Sequence, residues 1–205
     1  MGFYSERILP HIVNAACGMD NVKGLREKVV PHAQGRILEV GFGSGHNLPY
    51  YTADKVEKLW ALEPSEGMRK LARDRVSETP FEVDYLGLEA EEIPLDENSV
   101  DTIVMTYTLC TIPDTARALK GMKRVLKPGG RLLFSEHGRA PDEAVAHFQD
   151  RWNNIWKKVL GGCNLNRDIN SMIREAGFKP EDMTADYIEG PKFASFMYWG
   201  SATKD

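Results

Sequence analysis

The chain has 205 residues, 42% of them apolar and 27% charged, with a formal net charge of −4. That length suits one domain around a single core, and the mild acidity offers no broad attraction to nucleic acid or anionic lipid. No run approaches the roughly 18 apolar residues of a membrane-spanning helix. The opening "MGFYSERILPHIVNAACG" lacks the basic start and apolar core of a secretory signal.

In chain order, the first segment carries Phe3, Tyr4, Ile8 and Leu9, enough apolar surface to fold over a pocket and keep water out. Buried-strand candidates follow at 36–42, 58–64, 81–87, 101–107 and 131–138, each a short apolar run bounded by polar or turn residues. Between them Met68, Leu71, Ala72 and Val76 recur at helical spacing, as do Ala118, Leu119, Met122 and Val125. The second of these helices stops at "KPGG", because Pro128 cannot continue it and the glycines permit the turn.

A long helix is predicted over 142–160, with Val145, Phe148, Trp152, Ile155, Trp156 and Val159 on one face, either packed on the sheet or, at the two tryptophans, forming a lid over an apolar acceptor. A shorter helix spans 167–176, and 185–202 reads as an antiparallel hairpin around a Gly-Pro turn. Alternating strands and helices predict an open, mostly parallel α/β sheet, whose ligands sit at the carboxyl ends of the strands. Cys17, Cys110 and Cys163 are odd in number and far apart. They show neither metal-ligand spacing nor a disulfide framework, so no metal is expected and a reducing cytoplasm fits. Cys163 has nothing cationic near it in sequence and reads as structural.

The stretch "RILEVGFGSGHNLPYY" at 36–51 ends a strand in Glu39 and then breaks into Gly41, Gly43 and Gly45. A phosphate loop needs Lys and then Ser or Thr after its last glycine, whereas His46 and Asn47 follow here. A dinucleotide loop needs a third small residue where this chain has His46. The remaining pattern is E-x-G-x-G-x-G, which suits S-adenosylmethionine. Bare glycines let the main chain lie against its methionine and ribose portions, and an acid at the strand end faces its cationic groups. Glu63 ends the second strand 18 residues beyond Gly45, where a carboxylate can accept both hydroxyls of a ribose.

Together with "EAEEIPLDENSVD" before the fourth strand and "RVLKPGGRLLF" leading into the fifth, these residues resemble the class I S-adenosylmethionine-dependent methyltransferases of the type 11 domain kind. The resemblance covers about residues 35–138 and is nearest the ubiquinone-biosynthesis C-methyltransferase group. It implies a Rossmann-like seven-stranded sheet that is mostly parallel, with a C-terminal antiparallel hairpin. Residues 1–34 would form a helical cap and 35–205 the methyltransferase domain.

On that likeness Glu89 and Ala90 lie beside the adenine and Thr106 under the methionine portion. Glu89 replaces the aspartate of most relatives, which shifts weight to the Ala90 backbone. The expected cofactor set is Glu39, Gly41, Gly43, Gly45, Asn47, Glu63, Pro64, Met68, Glu89, Ala90 and Thr106, with S-adenosylhomocysteine as product.

Methyl transfer needs a base only when the nucleophile arrives protonated. His137, in "FSEHG" at the end of the fifth strand, is the candidate by position and by its usual pKa. His46 is expected to cap a helix or to shape the cofactor site. Tyr4, Tyr107, Cys110, Trp152 and Trp156 are candidates for the acceptor pocket. The order "SEHG…W…W…GGCNLNR" resembles the small-thiol S-methyltransferases, and the same region resembles some phosphatidylethanolamine N-methyltransferases.

A small apolar acceptor is therefore expected, a thiol first and a lipid amine or quinone-like carbon next. Peripheral lipid contact is left open, but no stable membrane insertion is expected. An NAD-dependent oxidoreductase and a non-catalytic S-adenosylmethionine-binding protein are the readings from other classes.

Overall fold

The structure, a computed structural model, describes residues 8–204. Two short helices, α1 (Leu9–Cys17) and α2 (Asp20–Val29), precede the first strand. Then come β1 (Gly35–Val40), β2 (Val56–Leu62), α3 (Glu66–Ser77), β3 (Val83–Leu86), β4 (Val100–Thr106), α4 (Thr115–Val125) and β5 (Leu126–His137). The chain closes with α5 (Glu143–Val159), α6 (Ile169–Glu175), β6 (Phe178–Tyr187) and β7 (Phe196–Lys204).

The seven strands form one sheet in the order β3-β2-β1-β4-β5-β7-β6. Strands β1 to β5 pair in parallel, and β7 runs antiparallel to both β5 and β6. The order reverses between β1 and β4, which opens a crevice at their carboxyl ends. The expected fold class is the one observed.

The inner strands bury both faces. Leu38, Val40, Ile103, Met105 and Phe134 pack with Ala118, Leu119 and Met122 of α4 and Ile169 and Ile173 of α6. Ile37, Leu59, Ala61, Val104 and Leu133 pack on the other side with Val29 of α2 and Ala72 of α3. Three helices begin on a side-chain cap. Ser65 accepts from Met68 N, Asp114 from Arg117 N and Asp168 from Ser171 N, each worth about 1 kcal/mol.

Three expectations need correction. Helix α4 stops at Val125 as "KPGG" predicts, but Leu126 already pairs with Val100 and the ladder resumes with Arg131 opposite Thr102. Residues 127–130 thus bulge within β5 rather than preceding it. Strand β6 begins at Phe178, well before the predicted hairpin, because it is an edge strand of mostly exposed polar residues with no apolar run to mark it.

Helix α5 has the predicted length, yet Phe148, Trp152, Ile155 and Val159 are 42–56% exposed. Of that stripe Val145 packs on the core and Phe148 and Trp156 on Phe193, while the residues buried on α5 are Ala146 and Gln149. The Gln149 side chain donates to Gly138 O and Phe193 O and accepts from Ala140 N, each at 3.0 Å.

Candidate active site

The crevice between β1 and β4 is lined by the glycine loop. Gly41, Gly43 and Gly45 all take positive φ, at 71°, 59° and 77°. Gly41 and Phe42 both donate to Leu62 O, at 3.0 and 3.2 Å, which draws the loop against the end of β2. A Cβ on Gly41 would overlap the Thr108 side chain, so this position requires glycine for space as well as for conformation. Two short 3₁₀ turns, Leu48–Tyr50 and Ala53–Lys55, and no α-helix lie between the glycines and β2. A dinucleotide loop would place a helix N-terminus there for the pyrophosphate. His46 accordingly has no helix to cap. Its Nε2 lies 3.0 Å from Asn14 O, and burial together with Arg26 pushes its pKa down to about 4.

Two buried acids face this loop. Glu39 accepts from Asn47 Nδ2 at 2.9 Å and from Tyr51 Oη at 2.6 Å. Burial pushes its pKa up to about 7, against the lowering effect of those two donors. Glu63 accepts from Gly43 N and Ser65 N, both at 2.8 Å, so the acid ending β2 also fixes the middle of the glycine loop. Burial raises its pKa as well. A carboxylate has about four acceptor directions, which leaves Glu63 room for a diol.

Asn47 connects three elements, because its amide also donates to Thr106 Oγ1 at 3.0 Å and its oxygen accepts from Arg26 Nε at 2.9 Å. Arg26 is the residue that the sequence did not reveal. It is buried in α2, donates to Cys17 O at 2.8 Å and stacks 4.9 Å from the Tyr107 ring centroid. No local motif marks it, since the contacts that bury it come from the glycine loop and from β4.

The crevice holds two adjoining cavities that share Gly41, Glu63, Thr108, Thr111 and Gly161. One, of about 240 Å³, is lined by Glu39, Gly43, Asn47, Met68 and Thr106 from the expected cofactor set and by Tyr107 from the acceptor candidates. Arg26, Cys17, Leu9, Pro10, Val13 and Leu160 also line it, as does His46, which thus shapes this cavity although it caps no helix. The other, of about 340 Å³, is lined by Pro64, Glu89 and Ala90. Gly45 lines neither cavity and instead closes the turn, donating from its N to Phe42 O at 3.1 Å.

The donor set fits S-adenosylmethionine. Buried carboxylates suit its ammonium and ribose, the Arg26 guanidinium suits its carboxylate, and a wall without Cβ atoms admits the chain between them. A model of the methyltransferase domain family matches residues 38–134. The demethylmenaquinone methyltransferase of Clavibacter sepedonicus is 30% identical over 172 residues, covering 82% of this chain and 69% of that protein.

The chain belongs to the class I S-adenosylmethionine-dependent methyltransferases.

Human thiol S-methyltransferase TMT1A is 28% identical to this methyltransferase over 178 residues, covering 82% of this chain and 68% of that protein. The S-adenosyl-L-methionine complex of Haemonchus contortus phosphoethanolamine N-methyltransferase 2 shares the fold, with a TM-score of 0.69 at 16% identity over 98% of this chain and 59% of that one. Across such relatives the methyltransferase spans from 36% to 69% of their own lengths. Among the described residues no helix is long and apolar enough to cross a membrane.

The remaining candidates sit elsewhere. Tyr4 lies outside the described residues. His137 is at the end of β5 as expected, but it lines neither cavity, and its Nε2 is 3.1 Å from Cys163 Sγ. Trp152 lies on the exposed side of α5 beside Phe148. Trp156 packs on Phe193 and donates from Nε1 to Cys163 Sγ at 3.3 Å. Neither tryptophan covers the cleft.

Cys110 is buried behind the cavity wall rather than in it. The reading of Cys163 as lacking a cationic neighbour is corrected, since His137 reaches it from 26 residues away. The Cys110 hydrogen bond, then His137 and Trp156, hold the Cys163 thiol below its ordinary range against the opposing effect of burial.

Proposed function

We propose that this methyltransferase transfers the methyl group of S-adenosylmethionine to the sulfur of a small apolar thiol. The observation that carries the reading is the apolar wall of Leu9, Pro10, Val13 and Leu160 beside the glycine loop, which suits a small uncharged acceptor. The likeness to a thiol S-methyltransferase over 82% of the chain supports sulfur as the accepting atom.

When bound, the cofactor supplies a methyl on a sulfonium, which reacts with a nucleophile placed in line at roughly 3–3.5 Å. The protein's part is placement. Glu63 accepts the ribose hydroxyls while holding Gly43 and Ser65. Glu39, kept in place by Asn47 and Tyr51, faces the ammonium. Arg26 pairs with the carboxylate, and Glu89 and Ala90 flank the adenine. Thr106 and Met68 border the methionine portion.

No strong base is needed. A free thiol is a few per cent ionised at neutral pH and is then highly nucleophilic. His46, with Nε2 committed to Asn14 O and its pKa pushed down to about 4, is too weak a base to take a thiol proton. His137 lines neither cavity and has no direct part. The apolar wall strips water from the entering thiolate and so raises its reactivity.

The test is transfer of labelled methyl from S-adenosylmethionine to a small alkyl thiol, a reduced quinone and phosphatidylethanolamine vesicles in parallel. Label on the thiol is the expected result, with kcat/KM rising tenfold per pH unit up to the acceptor's own pKa, about 8.5. Label on the quinol would replace the thiol reading with C-methylation, which the similarity to a demethylmenaquinone methyltransferase makes the next candidate. Label on the lipid would recast the acceptor as an amine.

A further inference from the structure

The methyl-transfer reading leaves one polar constellation unused. Cys110 stands in the turn between β4 and α4, His137 at the end of β5 and Cys163 in the loop after α5. Their ligand atoms all lie within 4.8 Å of one another, and His137 Nε2 is 3.1 Å from Cys163 Sγ. We propose that these three side chains form a zinc site of two thiolates and one imidazole, with the fourth tetrahedral position left to a small exogenous donor. The proposal stands independently of which acceptor is methylated.

The spacing suits the ion. Zinc holds thiolate sulfur at about 2.3 Å and imidazole nitrogen at about 2.0–2.1 Å in a tetrahedral shell, so its ligand atoms stand roughly 3.5–3.8 Å apart. The His137–Cys163 separation of 3.1 Å lies just below that range and no pair exceeds 4.8 Å, so shifts of about 1 Å or less bring the three atoms to zinc spacing. Two thiolates and a neutral imidazole also match the charge of a divalent cation, which removes the cost of burying thiolates unpaired. Three protein ligands and an open position form the pattern of a reactive zinc rather than a closed structural one.

The surroundings hold the ligands in place. Asn164 donates to Cys110 O from both its backbone N, at 2.9 Å, and its side-chain Nδ2, at 2.8 Å. Arg167 donates to Leu109 O. Glu136 accepts from Thr108 N at 2.8 Å and so braces the turn that carries Cys110. Trp156 Nε1 donates to Cys163 Sγ at 3.3 Å, the outer hydrogen bond that a metal-bound thiolate commonly receives.

Cysteines serving only to fill space would need neither an imidazole nitrogen nor an indole N–H aimed at their sulfur. The two cysteine-bearing loops also contribute Thr108, Thr111, Leu160 and Gly161 to the cleft, so the cluster lies directly behind the cleft wall. A soft donor, a small thiolate above all, is the ligand that such a zinc would take.

The test uses the full chain, reduced, stripped with a chelator and titrated with Zn²⁺ against a chromophoric competitor. The expected result is one equivalent bound, with affinity falling more than about 100-fold in C110S and in C163S and unchanged in C17S. Substitution with Co²⁺ is expected to give thiolate-to-metal charge-transfer absorption, halved in either single variant and altered by an added alkyl thiol. Affinity for S-adenosylmethionine, measured on each variant, separates loss of the ion from loss of the fold.

Three outcomes would overturn the proposal. Zinc uptake by the full chain could be no greater than by the C110S/C163S double variant. C17S could lose the ion as completely as C110S does. The reduced chain could take up no metal while mild peroxide links Cys110 to Cys163, which would make the pair a redox couple instead.

Discussion

Glu39 is a carboxyl only 1% exposed, held by two neutral donors with no cation bonded to it. Its pKa is about 7 in the folded chain against an ordinary 4.5, so between those values the folded state binds the proton that the unfolded state has released. Its contribution to the stability of the cofactor-free protein is therefore full below about 4.5 and is lost as pH rises through about 7. A cationic ligand beside it has the opposite preference and binds the ionised form. Affinity for S-adenosylmethionine should rise about tenfold between pH 6 and pH 8, and titration calorimetry on Glu39→Gln should show that rise flattened. An unchanged slope in the variant would assign the titration to another group. Glu39, Glu63 and the glycines were legible beforehand because they crowd two strand ends, where spacing alone implies proximity. Arg26 and the Cys110–His137–Cys163 cluster were not, because each depends on contacts between residues more than 20 positions apart.

At the scale of elements, α5 shows what periodicity conveys and what it leaves out. Its repeat sets the helix at 142–160, against an observed Glu143–Val159, but most of the apolar stripe stays exposed, with Val145 packed on the core and Phe148 and Trp156 on Phe193. Gln149 is the helix's fully buried polar anchor, and the three partners of that side chain lie on the segment after β5 and on the β6–β7 connection. A polar anchor of that kind has no signature in a hydrophobic pattern. The same is true of β6, whose edge position lets it be charged and exposed. Replacing Gln149 with Leu keeps the volume but leaves Ala140 N, Gly138 O and Phe193 O without their partner, at about 1–3 kcal/mol for each group that water cannot reach. A loss of about 2–4 kcal/mol in urea unfolding is expected. Because Leu160 and Gly161 at the far end of α5 line the cleft, cofactor affinity should weaken as well. A stability change below about 0.5 kcal/mol, the range of ordinary surface substitutions, would mean that the exposed apolar side is the true docking face.

Across the whole molecule the cleft draws on α1, α2, the glycine loop, the ends of β2 and β4, and the loop after α5. A ligand there bridges parts of the chain that otherwise meet only through the sheet, so its binding energy appears in the global unfolding transition. At a concentration 100 times its Kd, S-adenosylmethionine should stabilise the fold by about 2.7 kcal/mol. For a domain of this size each kcal/mol raises Tm by roughly 2–4 °C, so the shift should be about 5–11 °C. Glu63→Ala removes charge-assisted bonds to the ribose worth about 1.5–3 kcal/mol, which raises Kd roughly 10- to 100-fold. The same ligand concentration should then add only about 0.4–1.4 kcal/mol, or roughly 1–6 °C. Each shift is read against the variant's own ligand-free baseline, because the substitution also strips Gly43 N and Ser65 N of their acceptor. A full-sized shift in Glu63→Ala from a lowered baseline would place the ribose elsewhere in the cleft. Glu63 would then serve only to tie the glycine loop to the end of β2.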